Sequence, residues 1–352
     1  MVPERGADAV PWNITGNARA VNAVARSLAS EHPPHAYLFT GPDRVGKATL
    51  ALRLAQTLNC ASPVAQGPSP EPCLACTPCT RIARGLHADA QTVRIETNPD
   101  GDLRMSIAVD QLRDVERSVA LSPYEGRTRV VIIDPADAMT TEAQNAFLKT
   151  LEEPPPHVVL ILIATREELL LPTVHSRCRR IEFRLAASPE IEAALIADGV
   201  ENERAGLLAR LARGRIGWAL EMARDPGTFK RREEILDAAH VVAALPIHKR
   251  IALAEKMLTD FRDDREAVYR RLSEWAGWWR DVMLIQCGAE AGVANADRLA
   301  DLREDAAHHT REEVTAFLRA IFAAIEQLRA AVQPRPALEL LLLEAPAPPS
   351  PG

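Results

Sequence analysis

The sequence has no excess of basic residues and no long apolar run. Its 352 residues include 42 lysines and arginines against 48 aspartates and glutamates, giving a formal net charge of −6. A free-standing nucleic-acid-binding protein normally carries a basic excess, so this balance argues against that class, but not against DNA contact inside a larger assembly. No apolar stretch approaches the roughly 20 residues of a membrane-spanning helix. The first residues also lack the apolar core of a secretory signal, and we therefore expect a cytoplasmic protein.

Cysteine is scarce, and four of the six cysteines fall in one short region with the spacing Cys-x12-Cys-x2-Cys-x2-Cys. They are Cys60, Cys73, Cys76 and Cys79. Two residues between cysteines allow neighbouring thiolates to converge on one ion, and four sulfurs complete a tetrahedron with no open position. In a reducing cytosol this spacing favours a structural zinc site, the alternative being a pair of disulfides or free thiols.

A glycine-containing loop links a short apolar run to an apolar-periodic helix near the start of the chain. The run covers residues 37–39, and the loop GPDRVGK contains Gly41, Gly46 and Lys47. Strand, glycine loop, lysine and helix are the parts of a phosphate-binding site, in which backbone amides and the lysine ammonium face the phosphates. The alternative is a glycine turn that binds no ligand.

Two parts of a hydrolytic nucleotide site are absent. The residue after the lysine should carry a hydroxyl for Mg²⁺, but it is Ala48, and Thr49 points about 100° away if the segment is helical. A second apolar run, residues 129–133, ends in Asp134, at the end of a strand where ligands bind in open α/β sheets. Its neighbour is Pro135, which cannot polarise a water molecule. Asp134 can alternatively cap the following turn.

The hydrophobic pattern changes near residue 185. Up to that point apolar runs alternate with helical segments, which predicts a parallel sheet with helices on both faces. From residue 188 onward the periodicity is almost only helical, and the last residues, 346–352, are rich in proline and alanine and are expected to be disordered. The total length predicts two or three domains.

Helix-capping patterns predict several helix starts. Thr141 with Gln144, and Thr310 with Glu313, match the capping box, and Asp110 is a candidate N-cap. The prolines within residues 333–336 are expected to interrupt the last helical stretch.

Three tryptophans lie on one face of a predicted helix over residues 265–286. Trp275, Trp278 and Trp279 are spaced i, i+3, i+4. They can form a stacking surface for nucleic acid or a packing seam. We favour packing because the same face continues into apolar residues.

Several motifs occur in one order along residues 12–183. They are HAYLFTGP from His35, GKA from Gly46, the four-cysteine cluster, VIIDPADAM from Val131, NAFLKTLEEPP from Asn145 and SRC from Ser176. Together they resemble the bacterial clamp-loader branch of the AAA+ ATPases. The resemblance implies an α/β P-loop (AAA+) domain with a parallel sheet over residues 1–185, carrying a zinc-binding insertion at 60–79. It further implies a helical lid over 186–228 and an all-α collar over 229–345 that joins five subunits in a ring.

The resemblance also implies a role in DNA replication as part of the polymerase III assembly. The partners it implies are clamp-loader gamma/tau and delta subunits, the sliding clamp and, through the complex, primed DNA. Because Ala48 and Pro135 replace catalytic groups, and Gly217 stands where active loaders carry a lid arginine, we expect a stator without ATPase or polymerase catalysis of its own. The loop then serves as a degenerate ATP or ADP site formed by Gly41, Gly46, Lys47, Ala48, Thr49 and Asp134. The alternatives are an active gamma/tau-type ATPase and an unrelated zinc-bearing regulator.

Arg177 matches the arginine that clamp loaders present to a neighbouring subunit. Its guanidinium is expected to act in trans on the neighbour's ATP, because a fixed fork of donors suits the γ-phosphate. Taken without the resemblance, Arg177 with Arg179 and Arg180 reads as a solvated basic turn. Cys178 is expected to be a small buried residue rather than a reactive thiol.

Overall fold

The computed structural model describes residue 12 and residues 14–64, 70–96, 106–329 and 333–346. This part of the chain divides into two compact units. The first runs to Ala194 and includes Gly214–Trp218, and the second contains Leu195–Arg213 and the chain from Ala219 onward. Apart from residue 346, the tail expected to be disordered lies outside the described residues. The division into P-loop domain, lid and collar stays a prediction.

The first unit is built on a parallel sheet with strand order β2-β3-β4-β1-β5. The strands are β1 (Ala36–Thr40), β2 (Ala90–Val93), β3 (Arg129–Ile133), β4 (Val158–Ala164) and β5 (Arg179–Glu182). Strands β1, β3 and β4 are adjacent and almost entirely buried, which explains why they read as continuous apolar runs instead of alternating ones. The predicted α/β fold with a parallel sheet is confirmed.

Helices cover both faces of this sheet. They are α1 (Ala18–Leu28), α2 (Lys47–Asn59), α3 (Thr77–Ala83), α4 (Val109–Val119), α5 (Thr141–Glu152) and α6 (Pro172–His175). One apolar layer joins α1 and α2 to Tyr37 and Phe39, and the other joins α4 and α5 to Leu38 and Leu160. Alternate residues of one strand thus pack on opposite helical layers, as the two-residue period of a strand requires.

The chain from residue 188 onward is helical. Its helices are α7 (Ser188–Ala197), α8 (Asn202–Leu211), α9 (Ile216–Arg224), α10 (Pro226–Val241), α11 (Ile247–Asp263), α12 (Arg265–Gln286), α13 (Leu299–His308), α14 (Arg311–Arg329) and α15 (Pro334–Leu343). The predicted bounds of α12 are correct. In the described part of the chain, no helix combines the length and the apolar character needed to cross a bilayer.

The three tryptophans of α12 belong to the core of the second unit. Trp275, Trp278 and Trp279 have no solvent-exposed surface. Trp278 Nε1 donates a 2.7 Å hydrogen bond to buried Asp305, and the Trp279 ring meets Phe317 edge-on at 5.4 Å between centroids. Burial of all three rings excludes a base-stacking surface and confirms the packing interpretation.

The helix starts were predicted with mixed success. The capping box of Thr310 and Glu313 is confirmed, since each side chain accepts the other residue's amide. The box of Thr141 and Gln144 is wrong, because Thr140 is the N-cap and accepts the Ala143 amide at 3.1 Å. Either threonine can cap a helix, but only Thr141 has a glutamine three residues later, so the capping-box pattern selected the wrong one.

Two other predicted boundaries are displaced. Helix α4 begins at Val109, so Asp110 lies in its first turn and is not the N-cap. The expected interruption is present, because α14 ends at Arg329 and α15 is a separate helix, but α15 begins at Pro334, so the prolines form its first turn. A proline at the first helical position is favourable because its missing amide would be unpaired there in any case.

A buried guanidinium joins the end of α15 to the start of α11. Arg250 is 5% exposed. It donates to five backbone carbonyls, those of Ala243, Leu245, Leu342, Ala345 and Pro346. Carbonyl dipoles thus take the place of a carboxylate partner.

A buried carboxylate fixes the turn that precedes β3. Asp89 accepts the amides of Tyr124, Glu125 and Gly126 at 2.7–2.8 Å and the Arg129 Nη2 at 3.0 Å. These donors hold the pKa of Asp89 below its usual range, even though burial alone would raise it.

Candidate functional sites

The glycine loop lies at the carboxyl edge of the sheet, where a phosphate site is expected. It begins at Gly41 after β1 and ends at Lys47, where α2 starts. Strand β1 itself lies between β4 and β5 in the sheet. Gly41 and Gly46 have φ values of 129° and 101°, which favour glycine, and a Cβ on Gly41 would overlap the Phe183 carbonyl oxygen. The loop therefore has the strand–glycine–helix geometry that presents backbone amides to an anion.

The Lys47 ammonium is held beneath this loop. Its Nζ donates to the carbonyls of Gly41 and Pro42, the latter at 2.8 Å, and to the Thr165 hydroxyl at 3.2 Å. Burial lowers the pKa of Lys47, and the carboxylates of Asp43, Asp137 and Asp134 act in the opposite direction. To reach a phosphate, the ammonium would have to exchange at least one of these loop carbonyls for a phosphate oxygen.

Asp134 follows β3 at the same edge, two strands from the loop. Burial raises the pKa of its carboxyl, and the positive charges of Arg94 and Lys47 oppose that rise. The nearby Asp137 has a structural role, because it accepts the amides of Thr165 and Arg166 after β4. The structure thus brings Asp134, Lys47 and the loop to one edge of the sheet.

The position after Lys47 offers no oxygen to a metal ion. Ala48 and Thr49 are both exposed in the first turn of α2. Successive helical residues are about 100° apart, so the Thr49 hydroxyl does not replace the missing one. Pro135, next to Asp134, has no side-chain group that can orient water. The glycine loop and Lys47 are thus present without a hydroxyl directly after the lysine and without a polar side chain directly after Asp134.

Two residues outside the loop hold its backbone from behind. The Gly217 amide donates to the Arg44 carbonyl at 2.8 Å, and Asn17 Nδ2 donates to the Val45 carbonyl at 3.2 Å. A Cβ on Gly217 would lie 2.9 Å from the Arg44 oxygen. Sequence reasoning missed Asn17, and no local pattern distinguishes it.

Arg177 lies at the amino-terminal ends of the parallel strands, whereas the glycine loop lies at their carboxyl-terminal ends. It precedes β5, whose Arg179 pairs with Tyr37 of the parallel neighbour β1. From Tyr37 to Gly41 the strand advances four residues, roughly 13 Å at about 3.3 Å per residue. Arg177 is therefore not brought together with the loop of its own chain, and the same holds for the nearby Arg179 and Arg180.

The Arg177 guanidinium is partly exposed and makes contacts at the end of α5. Nη1 donates to the Thr173 carbonyl at 2.8 Å and to the Ser176 hydroxyl at 3.2 Å, and Nη2 forms an ion pair with Glu152. Cys178 is half-buried, and burial raises the pKa of its thiol to about 12, as expected for an unreactive cysteine.

The four clustered cysteines converge as their spacing predicts. Their Sγ atoms all lie within 4.8 Å of one another, and Cys60 Sγ is 3.8 Å from Cys76 Sγ. Four sulfurs at about 2.3 Å from a tetrahedral zinc would be about 3.8 Å apart, so the arrangement fits a Cys₄ metal site. None of the six cysteines, all of which lie in the described residues, forms a disulfide.

Backbone amides support the cysteine cluster. The Cys73 amide donates to Cys60 Sγ and the Cys76 amide to Cys73 Sγ, both at 3.3 Å. Burial raises the pKa of Cys76, but backbone hydrogen bonds from Cys79 and Ala61 outweigh it and lower that pKa to about 6. These donors favour the thiolate at Cys76, whereas burial raises the pKa values of Cys60 and Cys79.

Comparison with known proteins points to one family. Residues 16–187 match the family described as "DNA polymerase III, delta subunit". The delta' subunit of Bacillus subtilis is 29% identical, over 92% of this chain and 94% of that protein. The gamma/tau subunit of Mycobacterium tuberculosis is also 29% identical over 93% of this chain, which spans only 59% of that relative's length. The delta' subunit of Pseudomonas aeruginosa is 40% identical over 41% of each chain.

The similarity to solved structures is distant. A DNA polymerase III gamma subunit-related protein from Thermotoga maritima aligns over 92% of this chain and 97% of its own, with 19% identity and a TM-score of 0.48. A similarity of this size carries no functional argument, and the fold assignment rests on the sheet order described above.

Proposed function

This chain belongs to the clamp-loader family of DNA polymerase III subunits, and on that premise we propose that it acts as a delta-prime subunit. In this role it is a largely non-hydrolysing stator that helps to load the sliding clamp onto primed DNA. It supplies the Arg177 guanidinium to the ATP site of a neighbouring subunit.

One observation carries the proposal: a glycine loop and a lysine of the phosphate-binding type occur without two of the side-chain groups that phosphoryl transfer uses. The glycine loop and Lys47 have the geometry for a phosphate, whereas Ala48 and Pro135 supply neither a metal ligand nor a water-orienting group. Phosphoryl transfer depends on positioning and charge stabilisation by such groups, so their absence removes most of the rate. ATP or ADP at this loop would be a bound, slowly consumed ligand.

The position of Arg177 supports action in trans. Arg177 lies at the end of the strands opposite to the loop of its own chain, and its side chain is 30% exposed. A group that cannot reach the loop of its own chain, yet is accessible, is suited to a neighbour's site. Its planar fork of donors matches the oxygens of a γ-phosphate.

The accompanying assignments follow from the same role. The Cys₄ site holds one structural zinc ion, for which the sulfur spacing provides support. Residues 186–228 form a lid and residues 229–345 a collar, through which the chain joins gamma/tau and delta subunits in a hetero-pentamer.

A gamma/tau-type ATPase is the second candidate. It is favoured by the 29% identity to gamma/tau over 93% of this chain, equal to the identity with B. subtilis delta'. The full-length match to delta' supports the first candidate, since the gamma/tau relatives extend well beyond the aligned part.

Two measurements separate the candidates. The purified chain is assayed for DNA-stimulated ATP hydrolysis, and clamp loading by gamma/tau and delta subunits is measured with and without it. We expect no sustained turnover by the chain alone and clamp loading that depends on its presence. Brisk hydrolysis by the isolated chain would favour the gamma/tau type, and clamp loading that is indifferent to the chain would refute both candidates.

A further inference from the structure

The Arg177 guanidinium is held on its own protomer by a contact at each terminal nitrogen. Nη1 donates to the carbonyl of Thr173, the second residue of α6, at 2.8 Å. Nη2 is paired with Oε1 of Glu152, the last residue of α5. The two side chains are 30% and 48% exposed, so solvent and a partner molecule have access to the pair.

We infer that Glu152 is a positioning residue, which holds Nη2 of Arg177 on its own protomer until a triphosphate on a neighbouring subunit displaces it. The inference rests on the proposed function, because it assumes that Arg177 acts in trans. It assigns Glu152 no contact with substrate. The carboxylate competes with phosphate oxygens for one N–H donor of the guanidinium.

A comparison within the chain distinguishes this pair from a purely structural one. Three residues further on, Arg180 binds Glu167 through two parallel hydrogen bonds, Nε to Oε2 at 2.7 Å and Nη2 to Oε1 at 2.6 Å. Glu152 uses only one oxygen on one nitrogen of Arg177. Two-point pairing fixes a guanidinium firmly, and one-point pairing is more readily exchanged.

The Arg177 guanidinium also has one N–H group without an acceptor among the described residues. Its Nε is buried and has no hydrogen-bond partner among the described residues. Contacts on its own protomer therefore do not use the full donor capacity of the guanidinium. In the described residues the ion pair that an incoming phosphate would replace is the one between Arg177 Nη2 and the exposed Glu152 carboxylate.

The Thr173 contact explains why release can be local. If Glu152 turns away into solvent, Nη1 keeps its hydrogen bonds to the Thr173 carbonyl and the Ser176 hydroxyl. Exchange at Nη2 then requires only a change of the glutamate rotamer. Glu152 thus raises the ATP concentration at which the finger engages, without contributing to the chemical step.

The test uses the complex reconstituted from this chain with gamma/tau and delta subunits, and measures kcat and KM for ATP. For Glu152→Gln, which removes the charge and keeps the shape, we expect KM to fall about two- to fivefold with kcat within twofold, as an exposed ion pair of this kind implies. The matched control is Glu153→Gln, whose side chain is exposed beside it and makes no described contact with Arg177. In the Arg177→Ala background, Glu152→Gln should change nothing further.

Each failure has a distinct signature. A KM for Glu152→Gln equal to that of Glu153→Gln would overturn the inference while leaving the proposed function intact. A fall in kcat resembling that of Arg177→Ala would also overturn it, because Glu152 would then orient the finger instead of competing for it. If Arg177→Ala itself left turnover of the complex unchanged, the proposed function would fail.

Discussion

The Arg44 carbonyl accepts the Gly217 amide at 2.8 Å, and this contact leaves no room for a side chain at residue 217. An added Cβ would lie 2.9 Å from that oxygen, closer than van der Waals contact allows. The backbone of the glycine loop is thus supported by a residue at which only glycine fits without a shift of the backbone.

Gly217→Ala should therefore destabilise the protein by about 1–3 kcal/mol, because backbone atoms must shift to accept the methyl group. Urea denaturation followed by circular dichroism measures the change. Gly292→Ala is the control, since its nearest neighbour, Leu284 Cδ1, is at an ordinary 3.5 Å, and its cost should stay within about 0.5 kcal/mol. Equal urea midpoints for Gly217→Ala and Gly292→Ala would show that the contact with the Arg44 carbonyl does not exclude a side chain at residue 217.

Arg177→Ala should leave folding and assembly intact and lower the ATPase rate of the reconstituted complex. An arginine finger stabilises charge in the transition state, so the turnover of the one site it serves should fall by about 10³-fold or more. The ATPase rate of the whole complex would then fall by the fraction that this one site contributes to it. Arg179→Ala, which removes an exposed arginine two residues away, is the control. Identical rates for both variants would show that Arg177 is not a finger.

The purified chain should contain about one zinc ion after dialysis, as a closed four-thiolate site requires. Metal analysis by mass spectrometry measures this ratio. Cys76→Ser should lose the metal and lower the melting temperature, because metal-binding free energy contributes to folding. Cys287→Ser, at an exposed lone cysteine, should retain the zinc. A metal-free protein with the melting temperature of the untreated one would rule out the site.

Asp89→Asn should cost about 1–3 kcal/mol at neutral pH, because an amide cannot accept all the donors that surround this buried carboxylate. The pKa of Asp89 is lowered by folding, so its contribution is present above the unfolded value of about 3.9 and is lost as pH falls from there through the folded value.

The gap in unfolding free energy between wild type and Asp89→Asn should accordingly narrow below about pH 4. Urea titrations at neutral pH and at several acidic values measure it. Asp114→Asn, at a carboxylate that is 68% exposed, should change stability little at any pH. A gap that stayed constant into acid would contradict the role of the ionised carboxylate.

Local patterns were enough to predict the parts of the structure that depend on short spacing. Buried runs such as β3 and β4 predicted the parallel sheet because both faces of each strand are covered. The cysteine spacing predicted a cluster that the fold assembles across the end of α2 and the start of α3.

Contacts between distant positions could not be read from the sequence. Asn17 meets the Val45 carbonyl across 28 positions, and Glu152 meets Arg177 across 25. Asn17 belongs to none of the motifs, and the NAFLKTLEEPP segment that contains Glu152 does not reveal its partner, because each contact depends on which elements the tertiary fold makes adjacent. The choice between Thr140 and Thr141 as helix cap failed for a smaller reason, since neighbouring hydroxyls offer the same local chemistry.

Arg250 makes the residues that follow α15 more important than their small number suggests. Shortening the polypeptide before Ala345 would remove two of the five carbonyl acceptors of a guanidinium that is buried in the helical unit. C-terminal truncations should therefore retain residue 346, because a truncation a few residues earlier would leave a buried positive charge with fewer hydrogen-bond acceptors.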